Sequence, residues 1–271
     1  MIDTKYTYAV ARIRALETAL FTSATLDQLM ACQTEEQCLQ LIQEKGWGGA
    51  DTPVNAEAIL TREQEKIWEN IRDLGVDMSV FDVLSYPNMF HNLKAAIKDV
   101  CTEENGKSMN IYYDDTAISP DEMLEIVRSK DFSRLPKYMA GAAKEAYETL
   151  LHTRDGQLCD VIVDKAALEA IYAAGKEAKD SIIKDYAEST VAIADIKIAV
   201  RSQKTAKNLD FMKRAMAECE SLSVAQLSKA AVSGIDAIVE YLSGTAYAEG
   251  GKAIAESMSA FERWCDNRMM Q

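Results

Sequence analysis

Only 4 prolines and 12 glycines interrupt the 271 residues, and histidine occurs just 2 times. So few breakers exclude a fold of many short strands joined by tight turns, and they favour long helices. The two histidines leave little room for imidazole chemistry. Asn88 stands three residues before His91 and Thr149 three before His152, so neither completes a Glu-x-x-His di-iron motif. Cationic excess is missing as well. A formal net charge of -13 excludes the basic face that wraps nucleic acid and argues against broad adhesion to an anionic bilayer. No apolar run approaches the roughly 20 residues needed to cross a membrane. The start, Met1-Ile-Asp-Thr-Lys-Tyr6, lacks the basic region and apolar core of a signal peptide. The 6 cysteines (Cys32, Cys38, Cys101, Cys159, Cys219 and Cys265) include no Cys-x-x-Cys pair. They read as reduced, half-buried thiols on helices of a cytosolic protein.

Catalytic patterns are absent in the same way. Gly250-Gly-Lys252 imitates a phosphate loop, but Ala246 and Ala253 stand where that loop requires Gly and Ser/Thr. No Gly-x-Ser-x-Gly elbow occurs. Asp114-Asp115 is of the kind that holds magnesium in helical prenyl-diphosphate enzymes, yet Ile118 replaces a further acid. A surface turn is the simpler reading. A helical metal-dependent enzyme using Asp114 and Asp115 is one alternative, and a generic helical scaffold is another. No cofactor or metal is expected, and the acidic excess reads as a solvated face.

What is present is helical signal. Apolar residues are 48% and charged residues 27% of the chain, ordinary for a folded protein, with stretches rich in Ala, Glu, Lys and Leu. A first helix is expected over about Thr7–Thr22 with Ala9, Ile13, Leu16 and Leu20 inward. Capping boxes are read at Thr25–Gln28, Thr34–Gln37, Ser119–Glu122 and Ser223–Gln226. The Thr34 helix should bury Cys38, Leu41 and Ile42 and stop at Gly46-Trp-Gly-Gly49. Asn55 to Leu74 carries Ile59, Ile67, Trp68 and Ile71. Met78–Tyr86 is apolar and leads through Pro87 into Phe90-His-Asn-Leu-Lys-Ala-Ala-Ile-Lys98. Glu103–Lys107 reads as a polar loop and Asn110–Tyr113 as a short extended piece. Another helix is expected over Lys137–Leu151. Asp164–Ser202 reads as a long helical run without proline.

Two segments echo each other. Asn92, Leu93, Lys94, Ala96, Ile97 and Lys98 match Asp195, Ile196, Lys197, Ala199, Val200 and Arg201, 103 positions later. The boxes at Thr25, Ser119 and Ser223 are spaced by 94 and 104 positions, and each motif precedes its next box by 27 or 28. Two markers keeping one spacing point to internal duplication in units too long for a solenoid: 1–105, 106–212 and 213–271. A third motif would fall near position 298, past Gln271. Phe261, Trp264, Met269 and Met270 read as exposed, so the third unit is expected to be incomplete. The motif has two readings. In one, Leu93, Ala96 and Ile97 bury while Lys94 and Lys98 stay solvated; in the other, equivalent cations face a shared axis.

Tyr8-Ala-Val-Ala-Arg-Ile-Arg-Ala-Leu-Glu17 with Leu26-Asp-Gln-Leu29 resembles the N-terminal region of the C subunit of bacterial and archaeal V/A-type ATPases, the counterpart of the eukaryotic V-ATPase d subunit. Phe90–Lys98 and Ile193–Arg201 resemble that family's recurring aromatic-x-Asn-aliphatic-Lys helices. Phe261-Glu-Arg-Trp-Cys-Asp-Asn267 resembles its Phe-Glu-(Lys/Arg)-aromatic-x-Asp-Asn segment. The resemblance implies an all-α fold of three pseudo-symmetric helical units around a central cavity. It implies no enzyme activity. The implied partners are the central shaft subunits and the membrane proteolipid ring, met on the cytoplasmic face without membrane insertion. Arg12, Arg14, Asn92, Lys94, Lys98, Asp195, Lys197 and Arg201 are the candidate interface or inter-unit residues.

Overall fold

The computed structural model describes residues 6–102 and 111–270. All regular structure among them is helical: 14 α-helices and two short 3-10 turns. The fold is therefore all-α, as expected. The Glu103–Lys107 stretch and Asn110 lie outside the described residues, and Ile111–Tyr113 is irregular rather than a strand. By contacts the chain forms two compact units, the first ending at Ser79 and the second beginning at Val80. The division at 105 and 212 is a separate statement about repeated sequence.

The first unit holds α1 (Thr7–Glu17), α2 (Ser23–Ala31), α3 (Glu35–Glu44) and α4 (Ala56–Asp73). Its helix starts follow from hydroxyl and amide caps, which satisfy otherwise unpaired first-turn N–H groups. Thr34 Oγ1 accepts from the Gln37 N–H at 3.3 Å, and Asn55 Oδ1 accepts from the Ala58 N–H at 2.8 Å. The box read at Thr25 is displaced. Thr22 is the true N-cap, accepting from the Thr25 N–H at 3.3 Å, and Thr25 is buried in the first turn. The first helix also ends early. Thr18, Ala19 and Leu20 bond back three residues instead of four, and the Thr18 hydroxyl takes the Ala15 carbonyl at 2.7 Å. Of its expected inward set only Ala9 is buried, and Leu20 is 70% exposed. In α3 the buried residue is Leu39, with Cys38, Leu41 and Ile42 half-buried. Ile59 of α4 is buried, Trp68 and Ile71 are half-buried, and Ile67 faces out. Gly46, at φ 90°, ends α3 in the left-handed region that favours glycine, and Trp47 then stacks on Phe21 at 4.6 Å.

The second unit begins with α5 (Asp82–Thr102), α6 (Pro120–Ser129), α7 (Lys137–Thr153) and α8 (Gly156–Glu177). Around them Phe90, Leu93, Met123, Ile126, Met139 and Val163 form one core. The chain continues with α9 (Ser181–Lys204), α10 (Leu209–Ala215), α11 (Val224–Ser233), α12 (Ile235–Ser243), α13 (Ala248–Glu256) and α14 (Met258–Met270). Ile196, Met212, Leu227, Leu242 and Phe261 centre a second core there. Fully burying each such side chain contributes about 1.5–3 kcal/mol. Ser119 and Ser223 cap α6 and α11 as the boxes predict, each accepting the N–H three residues on at 3.3 Å.

The structure corrects three further expectations. Pro87 does not lead into a helix; it lies inside α5, which already starts at Asp82. It lacks the N–H that would reach the Val83 carbonyl, while the Ser85 hydroxyl donates to the Asp82 carbonyl at 2.7 Å. The run Asp164–Ser202 is two helices, because Ala178 turns extended and Asp180 caps the Ile182 N–H at 2.8 Å. Phe261 is not exposed but fully buried. Trp264 and Met269 pack against the same core, and Met270 stays outside.

Small residues decide how closely these helices approach. A Cβ on Gly175 of α8 would lie 2.2 Å from the Ala187 Cβ of α9, and one on Gly250 would lie 2.7 Å from the Trp264 ring. Gly250-Gly-Lys252, the loop-like motif, is therefore a packing surface inside α13. Gly175→Ala is expected to destabilise the protein by about 1–3 kcal/mol, since overpacking forces backbone shifts. Gly141→Ala in α7 meets no atom within 4 Å and should be neutral or stabilising by up to about 1 kcal/mol. Urea denaturation of the two variants checks this; equal stabilities would contradict the close crossing.

Candidate functional site

The repeated motif carries a repeated function in the backbone. Asn92 of α5 is completely buried. Its Oδ1 accepts the Tyr113 N–H at 2.9 Å, while its Nδ2 donates to the Tyr113 carbonyl at 2.8 Å and to Thr116 Oγ1 at 3.1 Å. The side-chain amide thus pairs with the irregular segment as a neighbouring strand would. Asp195 of α9, also completely buried, accepts the Ala217 N–H at 3.1 Å through Oδ1. Tyr113 and Ala217 each stand six residues before the capping serines Ser119 and Ser223. Each motif therefore fixes the segment that delivers the next helix.

The two anchors differ in chemistry. Among the described residues Asp195 Oδ2 has no hydrogen-bond partner, at the atom that in Asn92 is a donating NH2. Burial pushes the Asp195 carboxyl up to about 8, the Ala217 N–H opposing this and Glu218 adding to it.

The motif cations are engaged, which corrects the solvated reading. Lys94 meets Asp164 of α8 at 2.7 Å, and Lys98 lies within 2.9 Å of Asp160 Oδ2 on the same helix. The residues four apart on α5 face acids four apart on α8 in reverse order, so the helices run antiparallel. Lys197 meets Glu262 of α14 at 2.6 Å. Burial disfavours its charge, but Glu262, Cys265 and Asp266 together outweigh this and its pKa is raised. Arg201 is exposed and has no ion pair among the described residues. The antiparallel register would place Met258 opposite it, where the first pair has Asp160. Sequence reasoning missed Asp160, Asp164 and Glu262. The i,i+4 spacing shared by Lys94/Lys98 and Asp160/Asp164 was the available signal.

Arg12 and Arg14 lie in the first unit. Arg12 joins α1 to α4 through Asn70 and Asp73, each at 3.1 Å, and also meets Tyr8 Oη at 2.8 Å. Among the described residues Arg14 pairs with Glu17 of its own helix, at 2.7 Å. His91 Nε2 lies 2.9 Å from the Ile111 carbonyl, beside its helix. Asp114 and Asp115 are exposed, with the Asn88 amide 3.4 Å from Asp115. Among the described residues no three or more His, Cys, Asp or Glu side chains group as metal ligands would.

Two outcomes test the anchors. Asn92→Ala leaves the Tyr113 N–H without its partner and the Tyr113 carbonyl with only the 3.3 Å contact from the Thr116 hydroxyl, at about 1–3 kcal/mol for a buried group left unpaired, and should raise hydrogen exchange over 111–118; unchanged protection there would contradict the anchoring. For Asp195, a folded value of about 8 stands above the ordinary carboxylate value of about 3.9. The folded state therefore holds the proton more tightly. That stabilisation is complete below about pH 4 and is lost as pH rises toward 8. Asp195→Asn should gain stability on wild type by up to about 1.4 kcal/mol per pH unit across this window, the difference levelling off above it. Urea midpoints between pH 5 and 9 measure it; a difference independent of pH would contradict the assignment.

No described helix is long and apolar enough to cross a membrane. Comparison with curated proteins and with solved structures gave no significant match. The family model described as ATP synthase (C/AC39) subunit matches residues 9–271, nearly the whole chain. The chain belongs to the ATP synthase (C/AC39) subunit family of V/A-type ATPases, the family its motifs resemble.

Proposed function

We propose that the protein is a non-catalytic central-stalk subunit of a rotary V/A-type ATPase. It acts as the socket that couples the rotating shaft to the membrane proteolipid ring during proton or sodium transport, on the cytoplasmic face. The observation that carries this reading is the family match over residues 9–271. The geometry supports it. A coupling subunit has to transmit torque, which asks for helices locked in register. The second unit has that character: α5 is tied to α8 through Lys94–Asp164 and Lys98–Asp160, and α9 to α14 through Lys197–Glu262. The acidic chain would meet its partners through local patches, where complementarity rather than total charge sets recognition. We also propose the division into repeated units 1–105, 106–212 and 213–271, supported by the paired anchors at Asn92 and Asp195.

Tagged protein mixed with the shaft subunits and with detergent-solubilised proteolipid ring should retain both. Retention of neither partner would overturn the reading. Retention of the shaft alone would remove the socket role while keeping the stalk assignment.

A further inference from the structure

We propose that Cys32 and Cys38 form a dithiol modification site that closes reversibly into a disulfide by exchange with a small disulfide such as glutathione disulfide. Nothing in the socket role requires these thiols. Cys32 is the C-cap of α2, and Cys38 lies in the first turns of α3. The two sulfurs converge on neighbouring carbonyls of one helix end. Cys32 Sγ donates to the Gln28 carbonyl at 3.4 Å, and Cys38 Sγ reaches across the connector to the Leu29 carbonyl at 3.6 Å.

The connector between them is fixed. The Gln33 N–H donates to Gln37 Oε1 at 2.9 Å, Gln33 Nε2 donates to the Ala31 carbonyl at 3.2 Å, and Thr34 Oγ1 takes the Gln37 N–H at 3.3 Å. Both thiols are free and half-buried, open to a small reagent, whereas Cys159 and Cys265 are fully buried. The thiols also sense each other: after desolvation, the proximity of Cys38 is the next cause holding the Cys32 proton above its usual range. Late deprotonation suits Cys32 to the second, intramolecular step.

The chemistry balances as two exchanges. The Cys38 thiolate attacks one sulfur of the small disulfide, breaking its S–S bond and releasing one thiolate. Cys32, losing its proton, then attacks the Cys38 sulfur of the mixed disulfide. The Cys32–Cys38 bond forms and the second small thiolate leaves. The two protons given up by the protein end on the two released thiols, and two electrons pass to the oxidant. The product staples α2 to α3 across a short loop.

The test equilibrates the full chain with glutathione buffers of increasing disulfide content, quenches with an alkylating agent and digests with trypsin. Both cysteines fall on one peptide, residues 15–45. The expected result is that this peptide loses two hydrogens and both alkyl labels. Native protein should close at a disulfide content at least about tenfold lower than protein in urea, because the fold raises the effective concentration of one thiol at the other. Cys32→Ser should stop at a glutathione adduct on Cys38. Two alkyl labels on the peptide at every ratio would overturn the proposal. Closure as easy in urea as in the native state would overturn it too, since sequence proximity alone would then explain it.

Discussion

A buried side chain reaching from the middle of a long helix to the backbone of a later irregular segment is the constraint on which the second unit depends. Backbone N–H and carbonyl groups in a loop lying against a core lose water and need partners, or each costs about 1–3 kcal/mol. Asn92 supplies both partners to Tyr113, and Asp195 supplies one to Ala217. With that segment fixed, the chain reaches Ser119 or Ser223 in the place where the hydroxyl caps the next helix. One polar side chain in an otherwise apolar stripe thus sets both the loop and the start of the helix after it. The apolar neighbours Leu93, Ala96 and Ile97, and Ile196, Ala199 and Val200, then close the two cores.

The charged pairs around these anchors have a different task. Partly exposed ion pairs contribute about 0–1 kcal/mol each, too little to hold the fold beside cores of this size. Their value lies in register. Lys94 with Asp164 and Lys98 with Asp160 allow one antiparallel alignment of α5 and α8, and a slip by one turn would lose a pair. Arg201 breaks the pattern, since the second motif keeps the cation without an acid opposite.

The sequence makes local events legible. Hydroxyl and amide caps at Thr34, Asn55, Ser119 and Ser223 act within one turn, so the residues themselves carry the information. The all-α class could be read for the same reason. Events decided by packing could not. The break at Ala178 contains no proline or glycine; the chain turns extended there, Asp180 caps the next helix, and Gly175 lets α8 and α9 pack closely against Ala187. Phe261 carries no mark of being buried, since Glu262 and Arg263 follow it directly, yet it belongs to the core that α9 and α11 to α13 share. The solvated reading of Lys94 and Lys98 failed because Asp160 and Asp164 lie more than sixty positions away in the chain. Pro87 misled in the opposite direction, since the helix accommodates it in its second turn.

Mechanical coupling is the role we propose for this member of the ATP synthase (C/AC39) subunit family, whose second unit is a scaffold of register-locked helices. The most direct measurement of that role is ATP-driven ion transport by the assembled ATPase in sealed vesicles, with and without this chain, read beside ATP hydrolysis. The account predicts that omission abolishes transport, leaves hydrolysis running, and makes hydrolysis insensitive to an inhibitor bound at the proteolipid ring. Transport that persists in complexes lacking the chain would contradict it.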